Sequence, residues 1–385
     1  MTIRVEVVGD LLRWAVNRAG WDKATIDRRA PRLQDWIDGK VEPTLKQLEK
    51  FARDTHTPFG LLFLQEPPVE KIPIPDMRTM RSQGIERPSA DLLDTIYLCQ
   101  DRQDWYREFA RESGMRDLDF VGSATTVSSP LLVAQKLRRA LGFEFANRSE
   151  FASWSDALRQ LIDRIEDLGV LVMVSGIVGS NTHRSLNPEE FRGFALSDPI
   201  APLIFVNGAD TKAAQLFTLI HELAHICLGR SALSDASMKA FEGTGDELWC
   251  NAVAAEFLVP ARTLRSEFKG RVAAEELDRL ARMFRASTLV VLKRLFDAGF
   301  LEWDAFSEIY DQERLRVVGM LAGQNNGSGG GNFYYTQPLR LSRQFARSVI
   351  ASARSGSTAY RDAYSLLGTK KHETFENLAA ELGVA

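Results

Sequence analysis

The chain has 385 residues, of which 45% are hydrophobic and 26% are charged, a composition typical of a globular protein with about two or three domains. The formal net charge is −3, which excludes a strongly basic protein that coats nucleic acid through overall charge. Three cysteines do not suit a disulfide scaffold, no apolar run reaches membrane-spanning length, and the amino terminus lacks a signal-peptide core, so we expect a cytoplasmic protein.

The first 66 residues predict a small all-α domain. Apolar residues at helical spacing indicate four short helices, which we place at residues 8–19, 24–30, 33–38 and 43–52. Pro43 stands where it can start the fourth of these helices. Several short helices in so few residues are typical of a DNA-binding module of the helix-turn-helix type.

This domain resembles the phage-repressor-like (XRE-type) helix-turn-helix family. The matching residues are Trp36, Gly39, Lys40, Pro43, Thr44, Leu45, Leu48, Phe51 and Ala52. The resemblance implies DNA binding, for which Arg28, Arg29 and Arg32 are the candidate phosphate contacts. Residues 1–60 carry 11 basic and 9 acidic side chains, and the interval before Trp36 is short for a complete recognition helix. A packing module that does not bind DNA is therefore the alternative.

A proline-rich joint follows the first domain. Four prolines fall within nine residues of the sequence, at Pro67, Pro68, Pro73 and Pro75, and they favour an extended connection. Apolar stripes at helical spacing then indicate helices at 91–113 and 131–141. We therefore treat residues 67–150 as a joint and helical connector.

Residues 151–268 predict a core that combines helices with a small sheet. The expected elements are a helix at 151–168, strands at 169–174, 191–196 and 202–207, and helices at 211–228 and 247–258. Asp210 or Thr211 can cap the start of the first long helix after the strands, and Gly229 can end it. The polar connection at 230–246 is expected to be exposed and mobile.

A short motif in that long helix, H-E-x-x-H, carries the clearest chemistry. His221 and His225 lie one helical turn apart and share a face, so their imidazoles can bind one zinc ion. Glu222 directly follows the first histidine and can act as a general base. The chain has only five histidines, and two of them fall in this pattern. An ordinary helix without a metal is the alternative interpretation.

Two histidines do not complete a catalytic zinc site, which usually has three protein ligands. The position for a third histidine downstream falls at residues 230–232, where none occurs, so a glutamate from the next helix is expected. Glu247 is the candidate ligand, and Asn251, one turn later, can orient a ligand histidine. The competing acids are Asp246, Glu242 and Glu256.

The stretch from Leu168 to Pro260 resembles the ImmA/IrrE family of metallo-endopeptidases. The resemblance is carried by residues 217–225, by Glu247 and Asn251, and by residues 254–260. It implies a gluzincin-like α+β fold and an enzyme that cleaves a helix-turn-helix repressor. It also implies that His221, His225 and Glu247 bind zinc and that Glu222 is catalytic. Fused proteins of this kind also occur as antitoxin-like partners of nuclease toxins.

Residues 269–385 predict a helical C-terminal region. A segment at 275–300 has a helix-turn-helix rhythm, a glycine-rich loop lies at 327–332, and two amphipathic helices are expected at 340–353 and 359–367. The segment at 275–300 could contact DNA or a protein target, and the tail at 332–385 could dock a partner. Helix packing on the preceding core is the alternative.

The sequence as a whole predicts a mostly helical α+β protein with a small sheet. The favoured function is a zinc-dependent endopeptidase that cleaves a repressor-like regulatory protein in a stress, mobile-element or defence response. The alternative is an XRE-type transcriptional regulator or antitoxin that binds a toxin partner or DNA and whose peptidase site is weak or idle. No membrane role is expected.

Overall fold

A computed structural model describes residues 3–77, 88–234, 245–324 and 333–384. The chain divides into two compact units: Met1–Pro73 with Ser82–Ile96, and Ile74–Arg81 with Tyr97–Ala385. None of the helices in these described ranges is long and apolar enough to cross a membrane.

Helices dominate both units. The α-helices of the described ranges are α1 (Gly9–Arg18), α2 (Lys23–Arg29), α3 (Leu33–Ile37), α4 (Leu45–Asp54), α5 (Ala90–Glu112), α6 (Pro130–Ala140), α7 (Trp154–Asp167), α8 (Lys212–Leu228), α9 (Gly245–Leu258), α10 (Ala261–Glu267), α11 (Ala274–Phe284), α12 (Thr288–Asp297), α13 (Trp303–Gln324), α14 (Phe333–Leu341), α15 (Arg343–Arg354), α16 (Tyr360–Leu367) and α17 (His372–Glu381). Two 3₁₀ helices lie at Phe59–Phe63 and Phe145–Glu150. The strands are β1 (Leu171–Ser175), β2 (Gly193–Leu196), β3 (Leu203–Asn207) and β4 (Ala232–Ser234).

The first unit has its own hydrophobic core. The largest buried side chains of this core are Leu12, Trp14, Leu33, Trp36, Leu48, Phe51 and Leu62. Gly9 allows α1 to approach the end of α3, because a Cβ atom at this position would lie 2.5 Å from the carbonyl oxygen of Ile37. These contacts explain why such short helices are stable together, since isolated helices of this length are not.

The start of α4 corrects one expectation. Thr44 is the N-cap residue, and its hydroxyl accepts a hydrogen bond from the backbone N–H of Gln47 at 3.2 Å. The Gln47 side chain accepts from the Thr44 N–H in return, which completes a capping box. Pro43 therefore precedes the cap and does not start the helix.

A buried arginine connects the joint to the first unit. The Arg18 side chain pairs with Glu70 and with Asp94, each at 2.9 Å, and donates a hydrogen bond to the carbonyl oxygen of His56 at 2.9 Å. Burial lowers the pKa of Arg18, but the two carboxylates outweigh burial and raise it. The guanidinium thus joins three separate stretches of this unit through charge-assisted hydrogen bonds.

A four-stranded sheet lies in the second unit, with the order β1-β3-β2-β4. β1 pairs with β3 in parallel, whereas β2 pairs antiparallel with both β3 and β4. Every residue of the four strands is buried, so the strands are mostly apolar, and their polar residues, Ser175, Asn207 and Ser234, stand at strand ends without polar alternation.

The last strand corrects a second expectation. β4 falls inside the connection at 230–246 that was expected to be exposed and mobile, yet its three residues are buried and hydrogen-bonded to β2. A strand of three residues is too short to show a period of two in the sequence. Residues 235–244 of this connection lie outside the described residues.

The end of the proline-rich joint pairs with the other side of β4. The Leu233 N–H donates to the Pro75 carbonyl at 2.9 Å, and the Met77 N–H donates to the Leu233 carbonyl at 3.0 Å. Asp76 and Leu233 thereby form a parallel bridge. This segment satisfies backbone groups of β4 that would otherwise form an open sheet edge.

Helix α8 lies at the centre of the second unit. It packs against β2 and β3 of the sheet and against α7 and α9. Most of its residues are buried, which explains why it is apolar almost all round and lacks a single apolar stripe.

Arg148 joins the core helices to the C-terminal region. Its buried guanidinium donates hydrogen bonds to the carbonyl oxygens of Phe257 and Leu258 at the end of α9, and of Phe284 at the end of α11. The guanidinium carbon lies 4.8 Å from the ring centroid of Phe143. Burial lowers the pKa of Arg148 to about 9. One side chain thus satisfies orphan carbonyls of two helix ends.

The C-terminal helices α11, α12 and α13 share one hydrophobic core with the sheet and α8. Their buried contributions include Leu277, Leu280, Phe284, Val291, Leu295 and Phe306. Helices α13, α14 and α17 were not expected from the sequence. The glycine-rich loop at 327–332 lies outside the described residues.

Candidate metal centre

The ends of α8 fix the orientation of its two histidines. Thr211 caps the helix, since its hydroxyl accepts the N–H of Ala214 at 3.1 Å, whereas Asp210 forms an ion pair with Arg192 at 3.2 Å. Gly229 ends the helix with φ = 69°, a conformation that favours glycine. Of the two candidate caps, Thr211 is therefore the one that is used.

The structure brings His221, His225 and Glu247 together. The Nε2 atoms of the two histidines lie 3.2 Å apart. Glu247 places one carboxylate oxygen 3.2 Å from His221 Nε2 and the other 3.0 Å from His225 Nε2. All three side chains are buried, and their potential ligand atoms lie within 4.8 Å of one another.

This donor set fits a divalent metal. Two imidazole nitrogens and one carboxylate converge on one point from α8 and from the first turn of α9, which matches the three-ligand pattern of catalytic zinc sites. The other ring nitrogens, His221 Nδ1 and His225 Nδ1, are buried without a hydrogen-bond partner in the described part of the chain. The Nε2 atoms of both rings are thus the ones directed at the common point.

The electrostatics of the cluster also favours a cation. Burial lowers the pKa of His221, but the Glu247 carboxylate outweighs burial and raises it to about 9. Burial raises the pKa of Glu247, but the two histidines outweigh it and lower it to about 2. Burial lowers the pKa of His225. Positive charge is therefore stabilised between the three side chains, where a metal ion would replace a proton.

Glu222 lies next to this cluster but is not part of it. The side chain is fully buried, and neither carboxylate oxygen has a hydrogen-bond partner among the described residues. Burial raises the pKa of Glu222 to about 8. A buried carboxylate that is not engaged by other groups can exchange a proton with a molecule bound beside it.

Two residues that the sequence analysis did not single out border Glu222. A Cβ atom on Gly193, the first residue of β2, would lie 3.3 Å from Glu222 Oε1, so the glycine makes room for the carboxylate. Ser234, at the end of β4, pairs in register with Gly193 and is one of the groups that lower the pKa of Glu222 against the effect of burial. A glycine that opens an apolar strand was the available signal for the first of them.

Asn251 lies one turn after Glu247 on α9 and is half-buried. Its side chain raises the pKa of His221, which places it beside that ring. Although His221 Nδ1 accepts or donates no hydrogen bond in the described structure, Asn251 is positioned near the residue that it was expected to orient.

The competing acids have other partners. Asp246 pairs with Arg230, and Glu256 pairs with Arg294 and, at 3.8 Å, with Arg138. Neither belongs to the histidine cluster. Glu242 lies outside the described residues.

The cysteines near the site are not engaged in it. Cys227 and Cys250 are buried and unoxidised, and burial raises the pKa of the Cys227 thiol to about 12. A thiol with so high a pKa is a poor nucleophile or metal ligand and packs as a small apolar side chain.

The three arginines proposed for DNA contact lie in the first unit. Arg28 and Arg29 end α2, Arg32 precedes α3, and all three are exposed. The Arg29 guanidinium carbon lies 5.7 Å from the ring centroid of Trp21. They form an exposed basic stretch, and their role in DNA binding stays a prediction.

Comparisons with known proteins bear on two parts of the chain. Residues 165–296 match the peptidase family M78 model, described as the IrrE N-terminal-like domain. Residues 341–381 match a domain of unknown function (DUF8813). No curated protein matches the chain. The first match includes His221, Glu222, His225 and Glu247. It supports the relation of this part of the chain to the ImmA/IrrE family and suggests a metallopeptidase.

Proposed function

We propose that this protein is a zinc-dependent endopeptidase that cleaves a repressor-like regulatory protein in a stress, mobile-element or defence response. One observation carries the proposal: the ligand atoms of His221, His225 and Glu247 converge within 4.8 Å, and a free carboxylate, Glu222, lies beside them. The arrangement combines a three-ligand metal site with a general base.

The three convergent side chains would hold the metal. The two Nε2 atoms and the Glu247 carboxylate would be its ligands, and Asn251 would orient His221. When bound there, zinc supplies Lewis-acid chemistry, since it polarises a carbonyl group and makes water a better nucleophile near neutral pH.

Glu222 performs the proton transfers. Its carboxylate accepts a proton from the water that attacks the carbonyl carbon of the scissile peptide bond. It then delivers that proton to the amine nitrogen as the C–N bond breaks, so the products are a carboxylic acid and an amine, which ionise to a carboxylate and an ammonium group. Burial supports this role because it raises the pKa of Glu222 and so makes the carboxylate a better proton acceptor.

The assignment of Glu247 as the third ligand is tested by a matched pair of variants. Glu247→Gln should lose bound zinc, because an amide is a poor replacement for the carboxylate between the two histidines. Asp246→Asn changes the neighbouring acid, which pairs with Arg230, and should keep one zinc per chain.

The measurement is the zinc content of purified protein by plasma mass spectrometry, with thermal melting as a check of folding. Equal zinc content in the two variants would contradict the ligand assignment. An Asp246→Asn protein without zinc, beside a Glu247→Gln protein with zinc, would move the ligand to Asp246.

The substrate class is supported by the same chain. The first unit resembles a repressor module, and it has a core of its own, so it can bind a regulator-related partner or operator DNA independently of the metal centre. A repressor-like protein is therefore a better candidate substrate than an unrelated peptide.

A second candidate function rests on the first unit. An XRE-type regulator or antitoxin would use this unit to bind DNA or a toxin, and its peptidase site would be idle. The exposed basic stretch of Arg28, Arg29 and Arg32 favours this candidate.

DNA binding by the basic stretch has a direct test. The full-length protein should shift a fragment of its own promoter, and the affinity should fall steeply between 50 and 200 mM salt if phosphate contacts dominate, by about tenfold or more. Replacing all three arginines with serine should weaken binding and reduce the salt dependence. An unchanged shift after this replacement would exclude these residues as the DNA contacts.

A further inference from the structure

Glu222 and Ser234 are complementary groups that lie close together in the interior. Glu222 is fully buried and Ser234 is 2% exposed. Both oxygens of Glu222 and the hydroxyl of Ser234 lack a hydrogen-bond partner among the residues that the structure describes. An ionised carboxylate only accepts hydrogen bonds, whereas a serine hydroxyl can donate one by rotating about a single torsion.

The register of the sheet places the Ser234 hydroxyl on the face of the sheet that Glu222 contacts. Ser234 is paired across the antiparallel ladder with Gly193, and the Cα atoms of such pairs are about 4.5–5.5 Å apart. Gly193 is also the residue whose missing Cβ leaves room for Glu222 Oε1, at 3.3 Å. The serine therefore lies across the ladder from the point where the carboxylate contacts the sheet.

The backbone of β4 is held on both sides, which fixes this position. Leu233, the residue before Ser234, pairs with Phe194 of β2. Its N–H and carbonyl are hydrogen-bonded to Pro75 and Met77 on the opposite side. Ser234 thus projects from a strand that cannot shift without breaking both sets of contacts, and a fixed donor is what orients a catalytic group.

We propose that the Ser234 hydroxyl donates a hydrogen bond to the Glu222 carboxylate and holds it in the orientation required for proton transfer. Ser234 is then a positioning residue, since it acts through Glu222. This inference rests on the proposed peptidase function.

The kinetic test compares Ser234→Ala with Ser234→Thr. Ser234→Ala should lower kcat about tenfold, as expected for one hydrogen bond to a charged group, and should leave KM and zinc content unchanged. Ser234→Thr keeps a hydroxyl and should restore most of kcat. Fluorescein-labelled casein and the repressor cleaved by the wild type are the substrates.

A matched control is available three residues earlier. Ser231 is half-buried in the same segment, and its hydroxyl accepts a hydrogen bond from the N–H of Ser197 at 2.9 Å. Ser231→Ala should leave kcat unchanged. A loss of kcat in Ser231→Ala equal to that in Ser234→Ala would show a general effect on the segment and would overturn the proposal.

A crystal structure of the zinc-loaded wild type decides the question without activity. The proposal requires a distance below about 3.0 Å between Ser234 Oγ and a Glu222 carboxylate oxygen. A hydroxyl that faces another partner, or full kcat in zinc-loaded Ser234→Ala, would overturn it. If the wild type cleaves no substrate, the proposed function fails, while the measured distance still decides whether the hydrogen bond exists.

Discussion

The acidic residues of α9 differ in role because each carboxylate pairs with different side chains. Asp246 and Glu247 are adjacent in sequence, but the first pairs with an arginine and the second with two histidines. Glu256 lies on the same helix and is neutralised by Arg138 and Arg294. Only the carboxylate that faces imidazoles can complete a metal site, because the other acids already have cationic partners.

Close packing around position 193, beside the candidate site, leaves no room for a side chain and therefore requires glycine. A Cβ atom there would lie 2.6 Å from Thr218 Cγ2 and 2.7 Å from the Phe205 carbonyl oxygen. We expect Gly193→Ala to lower the free energy of unfolding by about 1–3 kcal/mol, because the adjacent strand and α8 must both move. Chemical denaturation of the purified variant measures this loss.

Gly245 supplies the control for that substitution. It is exposed at the start of α9, and a Cβ atom there would meet nothing within 4 Å. Gly245→Ala should leave the free energy of unfolding unchanged or raise it slightly. If Gly193→Ala is as stable as Gly245→Ala, the close packing of β2 on α8 is not what requires glycine.

Between elements, a buried acid joins α7 to α15. Glu166 is 8% exposed, and its carboxylate accepts the backbone N–H of Arg343 at 3.1 Å. Burial raises its pKa from 4.5 to about 7. The folded state therefore binds a proton more tightly than the unfolded chain, and the stability from this group is present below pH 4.5 and is lost as the pH rises to 7.

Glu166→Gln should remove this pH dependence. The amide oxygen can still accept the Arg343 N–H without a buried charge, so we expect the variant to gain up to about 3 kcal/mol over the wild type at pH 8 and almost nothing at pH 4.5. Denaturant unfolding at both pH values measures the difference. Asp163→Asn, a more exposed acid on the same helix, is the control, and an equal gain there would contradict the assignment to Glu166.

The helices and strands differ in how accurately the sequence predicts their positions. Long helices with strong signals, such as α5, α7 and α8, lie within about three residues of their expected bounds, because periodicity and caps such as Thr211 and Gly229 are local. β4 was missed because its pairing with β2 is a tertiary contact. Pro338 inside α14 argues against a helix in the sequence, although the structure has one there.

In the candidate site too, residues close in sequence were predicted, whereas residues brought together only by the tertiary fold were missed. The one-turn spacing of His221 and His225 follows from the helix, and Glu247 was placed by the need for a third ligand. Gly193 and Ser234 come from two other strands, and only the register of the sheet brings them to Glu222. Contacts set by strand register cannot be derived from spacing along the chain.

For the whole molecule, the metal centre lies within one compact unit. Its candidate ligands come from two helices, with His225 and Glu247 22 residues apart along the chain, and the hydrophobic core around them extends from Ala124 to Tyr310. The first unit has a separate core, so its proposed DNA role can be lost without loss of the peptidase site. The two candidate functions therefore make independent predictions.

The central claim is that Glu222 acts as the base of a metallopeptidase, and one comparison tests it most directly. Zinc-loaded wild type and zinc-loaded Glu222→Gln are each incubated with a repressor-like protein, and fragments are quantified by mass spectrometry. We predict an internal cut by the wild type and a rate at least about 100-fold lower for the variant, which should still hold zinc. Cleavage by Glu222→Gln at the wild-type rate would contradict the account.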